Sequence, residues 1–270
     1  MANKMLTIKQ LYKTFNAGTV TEHIALADVN LEMDSGEFVC IVGSNGAGKS
    51  TLFNCIAGSA LPDYGRIMLD GQDITFEKDY RRSRHISRVF QDPLKGTCPN
   101  LTIAENVSLA LSRSTFMNPL SFAISDDKRQ KISEILATFN VGLEDRLDVK
   151  VGTLSGGQRQ TVCLLMAVIG NPKMLLLDEH TAALDPQATE NVLRITTEAV
   201  SINNTTTCMI THNMADALKY GNRTIVMHEG TIIADVSGDE RSNMTVSDLL
   251  ALFRSQTGDS LSDDKILLAD

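Results

Sequence analysis

The 270-residue sequence predicts an α/β fold with a mostly parallel sheet, and three observations carry that reading. A wholly apolar run, Phe38, Val39, Cys40, Ile41 and Val42, stops at a glycine-rich stretch, and a helical pattern follows it. A second apolar run, 174–177, ends in the paired acids Asp178 and Glu179. A helix pattern over 186–200, with Asp185 as N-cap and Pro186 at its first position, lies between strand patterns at 174–179 and 206–212. Alternation of this kind implies parallel strands covered on both faces, with ligands at their carboxyl ends.

The glycine-rich stretch is Gly43, Ser44, Asn45, Gly46, Ala47, Gly48, Lys49, Ser50 and Thr51. It matches G-x-x-x-x-G-K-[ST] in the strand, loop, helix setting that gives the motif meaning, so the core is that of a P-loop NTPase. The glycines open backbone angles closed to other residues, so successive N–H groups can turn inward around an anion. The helix starting near Lys49 adds its positive end. Lys49 reaches the terminal phosphates and the Ser50 hydroxyl suits Mg²⁺. Of the two acids that end the second run, Asp178 would hold the Mg²⁺ shell. Glu179 would orient the water that attacks the γ-phosphate. Strand alternation points the two carboxylates to opposite faces.

In chain order, residues 6–15 alternate apolar and polar, which predicts an edge strand half exposed to water. A second strand runs over 24–31 after a polar turn at 16–21, and Asp34-Ser35-Gly36 turns the chain into the buried strand. Short strands are expected at 66–69 and 86–90. Beyond Gln91-Asp92-Pro93 the texture becomes helical. Ile103 and Val107, then Ile132, Ile135, Leu136 and Phe139, recur at helical spacing, with Ser125 as N-cap. The division read from this texture is one domain. Residues 1–90 and 153–240 form a nucleotide-binding core that includes an N-terminal antiparallel β subdomain. Residues 91–152 form an inserted helical subdomain, and 241–270 an amphipathic helix (245–254) and a polar tail.

Composition excludes several classes. A net charge of −8 gives no basic footprint for nucleic acid. No uncharged apolar stretch approaches the ~18 to 20 residues of a membrane span, and the start is too polar for a signal peptide. Five cysteines without a C-x-x-C pair read as reduced core residues. The basic run over 81–88 reads as a solvated face.

Leu154-Ser155-Gly156-Gly157-Gln158 resembles the signature of the ATP-binding cassette (ABC) ATPases. It falls in that family's order with the phosphate loop, Gln91, Asp178-Glu179, Ala183-Leu184-Asp185 and His212, and the similarity covers about 6–234. The resemblance implies ATP and Mg²⁺ as cofactors and a head-to-tail dimer, with Ser155, Gly156, Gly157 and Gln158 of one copy meeting ATP held by the other. It also implies that Phe15, with Tyr12 as rival, stacks on adenine, and that Gln91 contacts Mg²⁺ and the attacking water. Asp185 would sit at the dimer contact and His212 would hydrogen-bond the γ-phosphate. Catalysis would then fall to Glu179, His212 and Gln91, and metal binding to Ser50, Gln91 and Asp178.

Three positions depart from the family's pattern: His180 where Pro is usual, Ala182 where Ser is common, and Met166 in place of a common Arg. His180 is either an extra titratable donor near the γ-phosphate or a change without catalytic effect. The run 178–186, with 89–93 and 96–102, resembles ATPase subunits of bacterial importers that pair a branched-chain-amino-acid-type permease with a substrate-binding protein, some associated with aromatic amino acids. The implied protein is cytoplasmic and held at the inner face of the membrane through the permease. The alternatives are an ABC ATPase without a transporter and a nucleotide-binding regulator without turnover. The transport reading is preferred because no basic face or long coiled-coil insertion is present and Glu179 and His212 are retained.

Overall fold

The computed structural model describes residues 4–112 and 124–257. Its elements are β1 (Lys4–Phe15), β2 (His23–Asp34), β3 (Phe38–Gly43), α1 (Lys49–Ala57), β4 (Tyr64–Leu69), β5 (Gln72–Asp73), α2 (Asp79–Arg82), β6 (Ile86–Val89), α3 (Ile103–Ser112) and α4 (Asp126–Thr138). Then come α5 (Gly156–Ile169), β7 (Met174–Asp178), α6 (Pro186–Asn203), β8 (Thr206–Ile210), α7 (Met214–Lys219), β9 (Arg223–His228), β10 (Thr231–Ser237), α8 (Gly238–Ser242) and α9 (Val246–Thr257). Contacts group them into two units. The first takes Met1–Ile86, Leu176–Glu179 and Thr206–Asp270, and the second takes Ser87–Leu175 and His180–Thr205. Contacts thus place α5 and α6 with the other helices, whereas sequence texture groups 153–240 with the strands. The helix expected over 245–254 runs on to Thr257, and residues 258–270 of the expected polar tail, with 113–123 of the expected helical subdomain, lie outside the described residues.

In the first unit β3 is buried at all six positions. It pairs in parallel with β8, from Phe38↔Thr207 to Ile41↔Ile210, and with β9, from Val39↔Arg223 to Gly43↔Met227. A strand covered on both faces has no polar face to present, which is why it reads as an unbroken apolar run. β10 closes this sheet antiparallel to β9. A separate antiparallel sheet has the order β2-β1-β4-β5. β1 therefore lies inside its sheet, not at an edge as its sequence suggests. Alternation reports that one face is covered, as at Leu6, Ile8 and Leu11, and says nothing of how many neighbours a strand has.

The basic run is not wholly solvated either. Arg82 is 1% exposed. Its guanidinium donates to the carbonyls of Cys55 and Ile56 at 2.6 and 2.9 Å, of Thr75 at 2.9 Å and of Glu77 at 3.0 Å. The first two belong to the last turn of α1, whose partial negative charge a cation satisfies. Arg241 does the same beyond α7, donating to the carbonyls of Ala217, Leu218 and Tyr220 and to Thr224 Oγ1. α9 lays Leu249 and Phe253 into the unit, and the Phe253 ring meets the His228 ring edge-on at 5.6 Å.

The second unit is helical. α5 buries every residue from Gln160 to Val168. Ser125 caps α4, and Asp185 caps α6 by accepting from Ala188 N–H at 2.9 Å. Four of the five cysteines are buried as expected, but Cys98 is exposed, and none forms a disulfide. Its backbone explains the position: Asn106, fully buried, accepts from Cys98 N–H and donates to the carbonyls of Cys98, Leu101 and Thr102, which fixes a loop rather than a core residue. Among the described residues no helix is long and apolar enough to cross a membrane.

His180 is buried against α6, with Nε2 3.2 Å from Thr196 Oγ1. The Thr196 hydroxyl donates its one hydrogen to the Val192 carbonyl at 2.8 Å, so the imidazole is the donor, through Nε2–H. The ring is thus a packing group of the second unit, and burial pulls its pKa down to about 4. An unfolded histidine protonates near 6.5. The unfolded chain therefore binds the extra proton between these values, and stability is lost as pH falls through this window. In urea denaturation from pH 7 to pH 4, the stability gap between the protein and His180→Gln should narrow by as much as about 3 kcal/mol. Parallel pH profiles would rule His180 out as the responsible group.

Candidate functional site

The phosphate loop belongs to the first unit and hangs from the carboxyl end of β3. Gly43 has φ 154° and lies against the Met227 carbonyl, where a Cβ would collide. Gly48, φ 96°, is the N-cap of α1 and leaves no room for a side chain against the Ala25 carbonyl. Because the cap is a glycine, no side chain satisfies the first N–H groups of α1, and its first turn holds no acid. This terminus is therefore open to an anion. The loop is braced by the turn after β9, since Gly230 N–H donates to the Ala47 carbonyl at 3.1 Å.

Lys49 is 5% exposed and folds back over the loop, donating from Nζ to the carbonyls of Gly43 at 2.6 Å and Ser44 at 2.9 Å. Asn45, Gly46 and Ser50 are exposed, Ser44 and Thr51 are half-buried and Ala47 is buried. Asp178 ends β7, half-buried. Ser50 and Asp178 offer hard oxygen donors, and among the described residues no cluster of three His, Cys, Asp or Glu forms a cage. That donor set fits Mg²⁺, which takes one or two protein oxygens and completes its shell with phosphate and water.

Glu179 does not continue the strand. Its φ is +47°, and its N–H reaches the Ile210 carbonyl at 3.1 Å. Glu179 thus lies past the end of β7, in a left-handed turn to which strand alternation does not apply. His212 Nε2 donates to Glu179 Oε1 at 2.6 Å. That hydrogen bond, with the charges of His212 and Lys49, holds the Glu179 carboxyl below its ordinary range against the opposing effect of burial. The group is a carboxylate at neutral pH, able to accept a proton from water. The family resemblance gives His212 a hydrogen bond to the γ-phosphate; here its Nε2 is engaged with Glu179. At the end of β1 both candidate adenine platforms are partly exposed. Phe15 carries the Lys13 ammonium 5.5 Å from its ring centre, and Tyr12 meets Tyr64 edge-on at 6.0 Å.

The second unit holds the remaining candidates. Gln91 is exposed just beyond β6. Ser155 is the N-cap of α5 in a reciprocal capping box: Gln158 N–H donates to Ser155 Oγ at 3.3 Å and Ser155 N–H to Gln158 Oε1 at 3.4 Å. The Gln158 side chain is thus part of the cap. Gly157 packs against Ala188 of α6, where a Cβ would clash, so the positive ends of α5 and α6 converge. Ser155, Gly157, Gln158, Asp185, Asn191 and Arg194 line one cleft there of about 350 Å³. Arg159, absent from the sequence reading, clamps the loop before the signature by donating to the carbonyls of Val151, Gly152 and Leu154. Nothing in the sequence distinguishes it from a surface arginine.

The sequence model of the ABC transporter family matches residues 26–182. The tyrosine transport ATP-binding protein of Clostridioides difficile (strain R20291) is 43% identical over 249 residues, covering 92% of this chain and 98% of that one. The phosphonates import ATP-binding protein PhnC of Halobacterium salinarum (strain ATCC 700922 / JCM 11081 / NRC-1) is 31% identical, covering 96% and 89%. Among solved structures, the dimeric post-hydrolysis state of the ATP-binding cassette MJ0796, bound to ADP and Pi, superposes with TM-score 0.73 at 30% identity, over 86% of this chain and 98% of that one. The ADP conformation of the cassette MJ1267 gives 0.75 at 28%, over 93% and 98%. The chain therefore belongs to the ABC transporter family as an ATP-binding subunit, and its reaction is the hydrolysis of ATP.

Proposed function

We propose that this ATPase drives a separate membrane permease that imports a small solute, an amino acid of the tyrosine class, with an extracytoplasmic substrate-binding protein delivering the cargo. The kinship with a tyrosine transport ATP-binding protein supports the substrate class. The permease would hold the chain at the cytoplasmic face of the membrane. The observation that carries the catalytic reading is the 2.6 Å hydrogen bond between Glu179 and His212.

The loop 43–51 receives the phosphates, with Lys49 swinging from the loop carbonyls to the nucleotide. Phe15 receives the adenine. Ser50 and Asp178 would hold Mg²⁺, with Gln91 as the further contact that the family resemblance implies, and when bound the ion would neutralise charge that develops on the phosphates. Glu179, kept ionised, would accept a proton from the attacking water, and His212 would steady that carboxylate and hydrogen-bond the γ-phosphate. Ser155 to Gln158 and Asp185 of a second copy close over the nucleotide, and the work of closure passes to the permease.

Three outcomes test this reading. Glu179→Gln should bind ATP with little change and hydrolyse it at least ~100-fold more slowly, since positioning and deprotonating water carry much of the barrier; turnover near that of the unsubstituted protein would remove Glu179 from the role. Lys49→Ala should weaken ATP binding by at least about tenfold, the scale of one charge-assisted hydrogen bond, in equilibrium titration. At low protein concentration the ATPase rate should rise with the square of that concentration, whereas strict linearity would mean that one copy suffices.

A further inference from the structure

We infer that Gln160 is a positioning residue for Gln91, tying the segment that carries Gln91 to the helix that carries the signature. Gln160 lies one turn into α5, four residues after Gly156, and is fully buried. Its Nε2 donates to the Phe90 carbonyl at 3.2 Å. That carbonyl belongs to the peptide group joining Phe90 to Gln91, so the hydrogen bond holds the backbone from which Gln91 projects. Gln160 Oε1 is buried without a hydrogen-bond partner. A buried amide oxygen left unpaired is unfavourable, and an apolar side chain of the same length would avoid that penalty. The contribution of the amide therefore lies in what its N–H holds.

The segment returns to the same helix one turn later. Gly96 packs directly on Cys163 Sγ, with no space for a Cβ. Cys163 follows Gln160 by three residues, which puts both on one face of α5. Between the two attachments the chain is stiffened by a 3₁₀ turn over Pro93–Lys95. Asp92 Oδ1 accepts from Leu94 N–H at 2.9 Å, and Thr97 Oγ1 donates to the Pro93 carbonyl at 2.9 Å. Gln91 is exposed inside a span pinned at both ends to the signature helix, so a shift of α5 carries Gln91 with it. The inference rests on the reading that Gln91 serves the Mg²⁺ and the attacking water and that 155–158 meets nucleotide.

The test is a double-substitution cycle on ATPase activity in the full chain, with Gln160→Met, Gln91→Ala and the pair. Gln160→Met should leave ATP affinity within about twofold and the protein folded at the assay temperature, while kcat falls about tenfold or more, the scale expected when a reacting group is misplaced. The pair should be no slower than Gln91→Ala alone, because Gln160 acts only through Gln91. Gly96→Ala, which displaces the other attachment, should likewise lower kcat and spare affinity, and it carries the test if Gln160→Met fails to fold. A kcat within twofold of the unsubstituted protein in a folded Gln160→Met or Gly96→Ala, or effects that multiply in the pair, would overturn the inference. If Gln91→Ala itself leaves kcat unchanged, the assigned role of Gln91 falls first and takes the inference with it.

Discussion

Strand β3 is hydrogen-bonded on both sides and buried along its length, and it ends at a glycine that lies against the Met227 carbonyl with no room for a side chain. The other placements of the first unit follow from that constraint. β9 and the turn after it brace the loop through Gly230. β8, on the opposite side of β3, delivers His212 just past its last residue, where Glu179 meets it. A shift in the register of β3 would displace the loop relative to both the histidine and the brace, because β3 is paired with β8 and β9 at once.

The backbone at Glu179 shows where this rigidity is used. A left-handed conformation at a non-glycine residue costs on the order of 1–2 kcal/mol, and here it is held by the N–H bond to Ile210 and the side-chain bond to His212. The turn takes the glutamate out of the line of β7, so that its carboxylate meets His212. Strain at such a point persists only because the surroundings determine it from several directions.

Much of this was legible in the sequence because the chemistry is local there. The loop 43–51, the capped signature and the Asp185 cap each declare themselves by residue type at short spacing, and an apolar run with no polar face announces a doubly covered strand. What stayed hidden depends on partners distant in the chain. The two neighbours of β1, the burial of Arg82 under the end of α1, the exposure of Cys98 and the grip of Gln160 on Phe90 are each settled by residues that no periodicity relates. His180 is the sharpest case. By residue type it is a titratable group next to Glu179, the carboxylate proposed to activate water, and by packing it is a neutral donor to Thr196.

The buried Lys49 bears on how the nucleotide arrives. A chain of net charge −8 repels a polyanion at long range, while the attraction at the site comes from loop amides, one helix terminus and a lysine that is 5% exposed. Those sources act within about one Debye length, ~8 Å at physiological ionic strength. Added salt therefore weakens the barrier to encounter more than it weakens the grip.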